Sequence, residues 1–167
     1  MEQLTEILNP KHRKKEFSCG KDILDKYLHQ QANQDIKRKL SVCFVLTDSK
    51  TETVKGYYTL SNNSIPQDII PTKLRKKLSK SYSLIPVTLL GRLATDKKIQ
   101  KKGIGKILLI DALKRCCETS KSIGSFAVIV DPLDNDAESF YGKYGFIKLP
   151  DSGKMFLTMM TIKSLFE

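Results

Sequence analysis

Apolar residues recur along the chain with two different periods, which predict helices and strands respectively. Residues 22–39 have helical spacing and predict an amphipathic helix with a buried face formed by Ile23, Leu24, Tyr27, Leu28 and Ala32. A second helix is predicted over 103–120, with Ile104, Ile107, Leu108 and Ala112 on one face. A short helix is predicted over 134–144, and 66–80 is expected to be helical or irregular.

Alternating or continuously apolar runs predict strands at 4–9, 41–47, 54–61, 84–94, 126–130, 146–149 and 155–161. The strand over 84–94 is almost entirely apolar after Pro86, which indicates burial on both faces. Strands and helices alternate without a repeat or linker. The sequence therefore predicts a mixed α/β fold, with residues 1–167 forming a single domain.

Composition narrows the class of protein. The 167 residues are 40% hydrophobic and 28% charged, as in soluble globular proteins. No apolar run approaches the roughly 20 residues of a membrane helix, and no secretory signal is evident, so we expect a cytoplasmic protein without a membrane partner. The four cysteines lack metal-type spacing and there are two histidines, so we predict reduced structural thiols and no metal centre.

The charge balance points to an anionic partner or to a lysine-rich solubility surface. The chain has 29 Lys and Arg against 18 Asp and Glu, a formal net charge of +11. Nucleic acid, an acidic protein or a phosphorylated ligand would each suit this excess. Charge alone favours neither interpretation.

A glycine-containing turn precedes the predicted helix at 103–120. Gln100-x-x-Gly103-x-Gly105 places two residues without a Cβ where backbone can approach a ligand. The amides of a first helical turn suit a phosphate, and the turn is rich in lysine: Lys97, Lys98, Lys101, Lys102 and Lys106. A solvated surface turn is the structural alternative, since longer nucleotide fingerprints are absent.

A second motif follows the strand at 126–130. Ala137-x-x-Phe140-Tyr141-x-x-x-Gly145-Phe146, placed after the glycine turn, resembles the GNAT acetyltransferase superfamily. The resemblance extends to the acetyltransferase toxins of bacterial type II toxin–antitoxin modules. It includes three further segments: Phe17-x-Cys19-Gly20-x-x-x-Leu24-Asp25-x-Tyr27-Leu28, Gly56-Tyr57-Tyr58-x-Leu60 and Leu89-Leu90-Gly91-Arg92-Leu93-Ala94.

The resemblance implies a GNAT-like mixed central sheet flanked by helices, in which parallel strands 84–94 and 125–131 splay apart around acetyl-CoA. Lys101 stands where the toxin pattern has glycine. Asp134 stands where many GNAT enzymes have asparagine, and because Asn135 is next to it, either side chain could be the one that contacts the cofactor. The implied cofactor-binding residues are Leu93, Ala94, Thr95, Gln100, Lys101, Lys102, Gly103, Ile104, Gly105, Lys106, Asn135 and Phe140.

Tyr141 resembles the tyrosine that protonates the departing thiolate in GNAT enzymes. A phenol with an ordinary pKa of about 10 carries a proton at neutral pH; the alternative is a core aromatic. Tyr144 is assigned to packing. No residue is placed as a base, which suits an α-amino substrate with an ordinary pKa of about 7.7–8.0.

The toxin resemblance implies acetylation of aminoacyl-tRNA, which blocks translation. A small-molecule or protein amine acetyltransferase and a non-catalytic binding module are the alternatives. A ribbon-helix-helix antitoxin and homodimerisation are also implied by the resemblance. The residues predicted to hold tRNA are Arg92, Lys73, Arg75, Lys76, Lys77 and Lys80.

Overall fold

The computed structural model describes residues 4–167. Residues 1–3, which belong to the N-terminal segment expected to carry no secretory signal, lie outside the described residues. The helices are α1 (Asp22–Lys26), α2 (Ala32–Lys37), α3 (Thr72–Arg75), α4 (Ile104–Thr119), α5 (Asn135–Lys143) and α6 (Met159–Phe166). The strands are β1 (Glu6–Ile7), β2 (Val42–Thr47), β3 (Val54–Pro66), β4 (Leu84–Thr95), β5 (Ala127–Val130), β6 (Ile147–Lys148) and β7 (Met155–Thr158). The chain divides into two compact units.

The first unit comprises residues up to 61 together with 90–113. Strand β2 lies between β1 and β3 and pairs antiparallel with both. The turn that joins β2 to β3 is closed by Asp48, whose side chain accepts hydrogen bonds from the amides of Lys50 and Thr51. The core of this unit includes Phe17, Leu28, Cys43, Val45 and Tyr57, all buried.

The second unit comprises residues 62–89 and 114–167. Strands β4 and β5 pair in parallel at Thr88↔Val128 and Leu89↔Ile129. Strand β7 pairs antiparallel with both β5 and β6. Parallel and antiparallel pairs therefore occur together, as the mixed α/β prediction requires. The splaying of the parallel strands beyond these pairs stays a prediction.

The predicted helix over 22–39 contains an irregularity that sequence spacing does not reveal. Residues Tyr27–Gln31 form a π-helical segment between α1 and α2. The backbone carbonyl of Leu28 within this segment accepts a hydrogen bond of 2.9 Å from Lys14 Nζ. Burial lowers the pKa of Lys14.

Three details of the predicted elements are wrong. Ile23, predicted on the buried face of the first helix, is 63% exposed. Ile107 is 41% exposed, because α4 buries a neighbouring stripe that includes Leu109 and Leu113. Residues 159–161 lie in α6, not in a strand, because the Thr158 side chain caps that helix by accepting from the amide of Thr161. Strand β4 is not buried on both faces: after Pro86, Val87, Leu90 and Ala94 are buried, and the positions between them are partly exposed.

The four cysteines are free and buried, in agreement with the prediction of reduced structural thiols. Burial raises the pKa of Cys19 to about 11 and that of Cys43 and Cys116 to about 12. Because the thiolate is the nucleophilic form, these three side chains are chemically quiet at neutral pH. Among residues 4–167, no helix combines the length and apolar character that crossing a membrane would require.

Candidate acetyl-CoA and acceptor site

The turn between β4 and α4 has the backbone geometry of an anion cradle. Lys101 and Gly103 both have positive φ, at 64° and 79°, and a Cβ added at Gly103 would meet no heavy atom within 4 Å. The first amides of α4 follow directly and have no carbonyl partner within the helix. Successive amides in such a turn form a concave site for phosphate oxygens, so this segment fits the pyrophosphate of acetyl-CoA.

The lysines predicted around this turn are at the surface. Lys97, Lys98, Lys101, Lys102 and Lys106 are all exposed. Exposed ammonium groups beside a helix N-terminus add to the positive potential that the helix dipole provides. The charge of the turn therefore suits a ligand with several phosphates.

Gln100 does not point its side-chain donors to solvent. Its Nε2 donates hydrogen bonds to the backbone carbonyls of Cys19, at 2.8 Å, and Thr95, at 2.9 Å. Both amide hydrogens are therefore used within the protein. The prediction that Gln100 belongs to the cofactor site remains a prediction, but this geometry gives it a supporting role rather than a direct contact.

Two acidic residues that sequence reasoning left without a role complete this arrangement. Asp96 accepts hydrogen bonds from the amides of Ser18 and Lys98, and Asp25 accepts from the amide of Cys19 at 2.8 Å. The bond from the Lys98 amide to Asp96 spans two residues, a turn pattern that can be read from the sequence. The bond from the Ser18 amide to Asp96 joins segments 78 residues apart and has no local sequence pattern.

The end of β4, which contains the predicted cofactor residues Leu93, Ala94 and Thr95, is closely packed. Ala94 is buried, whereas Leu93 and Thr95 are partly exposed. A Cβ added at Gly56 on β3 would lie 2.7 Å from Leu108 Cδ1 and 3.1 Å from the Ala94 carbonyl oxygen. Gly56 therefore allows close packing at the predicted pantetheine-binding backbone, which explains the glycine of the Gly56-Tyr57-Tyr58 motif.

Helix α5, in the second unit, begins with a side-chain cap. Asp134 Oδ1 accepts the amide hydrogen of Ala137 at 2.9 Å, so this carboxylate stabilises the helix N-terminus. Asn135, the first helical residue, is exposed. The cap favours Asn135 as the residue that is left to contact the cofactor.

The C-terminal end of α5 fixes the position of Tyr141. The amide of Phe146 donates to the Tyr141 carbonyl and the amide of Gly145 donates to the Gly142 carbonyl, the bond pair of a Schellman motif. Gly145 has φ of 94°. The rings of Tyr141 and Phe146 lie 5.3 Å apart between centroids. The Gly-Phe of the sequence motif thus holds the tyrosine.

Tyr141 is 7% exposed, and burial raises the pKa of its phenol well above the ordinary value. The neighbouring Phe140 ring meets it edge-on, with 5.2 Å between centroids, and is itself partly buried. Tyr144 also contacts Phe140 edge-on, as expected for a packing residue. A buried phenol that keeps its proton can act as a general acid.

Replacing Gly145 by alanine is expected to destabilise the protein by about 1–2 kcal/mol, because an L side chain resists positive φ. Gly142→Ala is the matched control: Gly142 is helical, and an added Cβ would make an ordinary contact of 3.8 Å with Met155 Cε. This control should be stabilising by about 0.5–1 kcal/mol. Thermal unfolding of both variants measures the difference; equal midpoints would contradict it.

Arg92 is engaged by an aromatic ring. Its guanidinium carbon lies 3.5 Å from the centroid of Tyr27, and Tyr27 Oη donates to Asp35 at 2.9 Å. Burial raises the pKa of Tyr27 to about 12. The partly buried charge of Arg92 is thus held by a cation–π contact.

The predicted basic cluster lies on and after the short helix α3. Lys73, Lys76, Lys77 and Lys80 are exposed. Arg75 donates to the Asp68 carbonyl and to Thr72 Oγ1, so part of its guanidinium holds the segment in place. The four lysines are the members of the cluster with the freest access to a polyanion.

Among residues 4–167, one group of metal-type side chains converges, formed by Glu6, His12 and Glu52. His12 Nδ1 accepts from the Asn9 amide at 3.0 Å, and Nε2 lies 2.7 Å from Glu6 Oε1. Hydrogen bonds from His12 and Lys11 hold the pKa of Glu6 below its usual value. Both ring nitrogens of His12 are thus engaged in hydrogen bonds within the protein.

Comparison with known proteins identifies the family. The model of the acetyltransferase (GNAT) domain matches residues 9–156, and the chain therefore belongs to the GNAT acetyltransferase family. Membership confirms the predicted fold class and the enzyme class, an N-acetyltransferase that uses acetyl-CoA.

Relatives place the chain within this family. It is 35% identical over 150 residues to the tRNA-acetylating toxin of Mycobacterium tuberculosis, covering 89% of this chain and 87% of the relative. It is similar to AtaT complexed with acetyl-methionyl-tRNAfMet, with a TM-score of 0.90, 29% identity and 98% of each chain covered. It is also similar to a mutant AtaT toxin bound to the C-terminus of the antitoxin AtaR and acetyl-CoA, with a TM-score of 0.82, 26% identity, and 97% and 96% covered.

Proposed function

We propose that this protein transfers the acetyl group of acetyl-CoA to the α-amino group of aminoacyl-tRNA and so blocks translation as a toxin. The observation that carries the proposal is the likeness, over nearly the whole chain, to a toxin complexed with acetyl-methionyl-tRNAfMet. The anion cradle, the buried phenol and the net charge of +11 support it.

Acetyl-CoA supplies an activated thioester when it is bound. The amides of residues 101–106 would hold its pyrophosphate, with exposed lysines around them. The backbone of Leu93, Ala94 and Thr95 would bind its pantetheine arm, and Asn135 and Phe140 of α5 would be further cofactor-binding residues. Tyr141 would supply the proton of its Oη to the departing thiolate.

The acceptor nitrogen must be neutral when it attacks. An α-amino group has an ordinary pKa of about 7.7–8.0, so a useful fraction is neutral at physiological pH without a protein base. A lysine side chain, with an ordinary pKa of about 10.4, would need a base to reach the same fraction. This difference favours an α-amine as substrate.

The tRNA is held chiefly through its phosphates. Arg92, Arg75 and the four exposed lysines from Lys73 to Lys80 supply charge on a protein with a large positive excess. Phosphate contacts of this kind dominate the affinity for nucleic acid and are weakened by salt.

A toxin of this kind is neutralised by a partner, and the similar AtaT toxin is seen bound to the C-terminus of its antitoxin AtaR. We propose that a ribbon-helix-helix antitoxin binds this protein as well. The site of action is the cytoplasm, where charged tRNA is found. Homodimerisation and the action of residues 1–167 as one acetyltransferase domain stay predictions.

The test is transfer of labelled acetyl from acetyl-CoA to charged tRNA. We expect the label to appear on the aminoacyl group and to require aminoacylation, with uncharged tRNA as the control. Transfer to free amino acids, polyamines or protein amines but not to charged tRNA would contradict the proposal that aminoacyl-tRNA is the substrate. Failure to bind acetyl-CoA in calorimetry would leave a non-catalytic binding module.

A further inference from the structure

The N-terminal turn Ser18–Gly20 is joined by hydrogen bonds to the segment that leads into the anion cradle. The Lys97 amide donates to the Ser18 carbonyl at 2.8 Å, and the Ser18 amide donates to Asp96 Oδ2 at 3.2 Å. Gln100 Nε2 donates to the Cys19 carbonyl, which is the third hydrogen bond between the two segments. The two segments are therefore linked at three successive points.

The N-terminal turn is itself fixed from α1. Asp25 Oδ1 accepts from the Cys19 amide at 2.8 Å, and Asp25 Oδ2 accepts from Ser18 Oγ at 3.3 Å. Gly20 has φ of 91°, a conformation that suits glycine. The motif residues Cys19, Gly20 and Asp25, which the transfer chemistry does not use, thus have a common structural task.

We propose that Asp25, the Ser18–Gly20 turn and Gln100 form a clasp that positions the pyrophosphate-binding amides of residues 101–106. Gln100 acts as a positioning residue and not as a ligand of the cofactor, because both of its side-chain hydrogens are bonded within the protein. Lys101 follows it directly, in a left-handed conformation that needs support from its surroundings. This inference rests on the proposed cofactor site.

Gln100→Leu tests the clasp because it removes the two hydrogen bonds that Gln100 Nε2 donates to the Cys19 and Thr95 carbonyls. Gln100 is exposed, so the variant is expected to fold. We expect the Kd for acetyl-CoA to rise about tenfold. In the cofactor-free protein, the hydrogen-bonded amides of the clasp, those of Ser18, Cys19 and Lys97, should exchange hydrogen about tenfold faster. Gln100→Arg, a side chain with donors only, should restore the slow exchange.

The matched control is Gln67→Leu. Gln67 Nε2 also donates to two backbone carbonyls, those of Ser79 at 2.9 Å and Tyr82 at 2.8 Å. It lies on a segment that contains none of the proposed cofactor residues. The Kd for acetyl-CoA and the exchange of the Ser18, Cys19 and Lys97 amides should both stay at the wild-type values in this variant.

A double-mutant cycle distinguishes positioning from direct contact. If Asp25 and Gln100 act through one clasp, Asp25→Ala with Gln100→Leu raises the Kd well short of the product of the single effects. If the rise in Kd in the double variant equals the product of the two single rises, and amide exchange in the cofactor-free Gln100→Leu protein is unchanged, Gln100 is a direct ligand and the clasp is overturned. A wild-type protein that binds no acetyl-CoA would overturn the proposed function as well.

Discussion

Replacing Tyr141 by phenylalanine is expected to lower the turnover number about 10²–10⁴-fold, the contribution of a positioned general acid. The phenylalanine ring retains the packing against Phe146 and Phe140 but has no proton to give. The Kd for acetyl-CoA should therefore stay near the wild-type value. Single-turnover transfer to charged tRNA, together with calorimetry, measures the two quantities separately.

Tyr144→Phe provides the matched control, since it removes the same hydroxyl three residues further on. Tyr144 is partly buried and packs against Phe140. Its loss should leave turnover within about twofold of wild type, as for a substitution without a catalytic role. Equal losses in the two variants, or full activity of Tyr141→Phe, would remove Tyr141 from the reaction.

The pH profile gives a second readout for the same residue. Burial raises the pKa of Tyr141, so the phenol stays protonated beyond pH 10, where an exposed tyrosine would lose its proton. Wild-type activity should rise as the α-amine is neutralised near pH 8 and then stay level through pH 10. The same shift makes Tyr141 favour the folded state less as pH rises above 10, since the unfolded phenol ionises first.

The motif around Tyr141 could be predicted because its bonds are local. Gly145 and Phe146 follow the tyrosine within five residues, and the helix-ending bonds join residues within this segment. The N-cap of α5 is equally local, since Asp134 accepts a hydrogen bond from the amide of Ala137, three residues further on. Such signals depend on residue type at fixed offsets, which a sequence displays directly.

The clasp and the contact that Lys14 makes with the π-helical segment could not be predicted, since each joins residues from different segments of the chain. Gln100 bonds a carbonyl 81 residues away, and Lys14 bonds the Leu28 carbonyl inside the π segment from the preceding turn of chain. A glutamine or a lysine can donate to any nearby carbonyl, so the sequence does not indicate which carbonyl Gln100 or Lys14 will bond. The resemblance identified Cys19, Gly20 and Asp25 as important positions, but only the fold indicates what they do.

Neutralising four lysines of the basic cluster should weaken tRNA binding without affecting the cofactor. We expect Lys73→Gln, Lys76→Gln, Lys77→Gln and Lys80→Gln together to raise the KM for charged tRNA about 10–100-fold at moderate salt, because a phosphate that no lysine neutralises keeps its counterion. The slope of log KM against log salt should fall in magnitude by about 0.7–0.9 for each phosphate that is no longer neutralised. Initial rates at several salt concentrations give both quantities.

A control with the same net charge separates a local site from a general attraction. Glutamine at the exposed Lys37, Lys50, Lys121 and Lys163 also takes the formal charge from +11 to +7, since each variant loses four charges. If the cluster holds the tRNA, this control keeps most of the wild-type salt slope and KM, because exposed charges more than about 10 Å from a phosphate are screened at 0.1 M salt. Equal effects in the two variants would show that the positive charge attracts tRNA without a defined site, and an unchanged KM in both would leave Arg92 and the aminoacyl end to account for recognition.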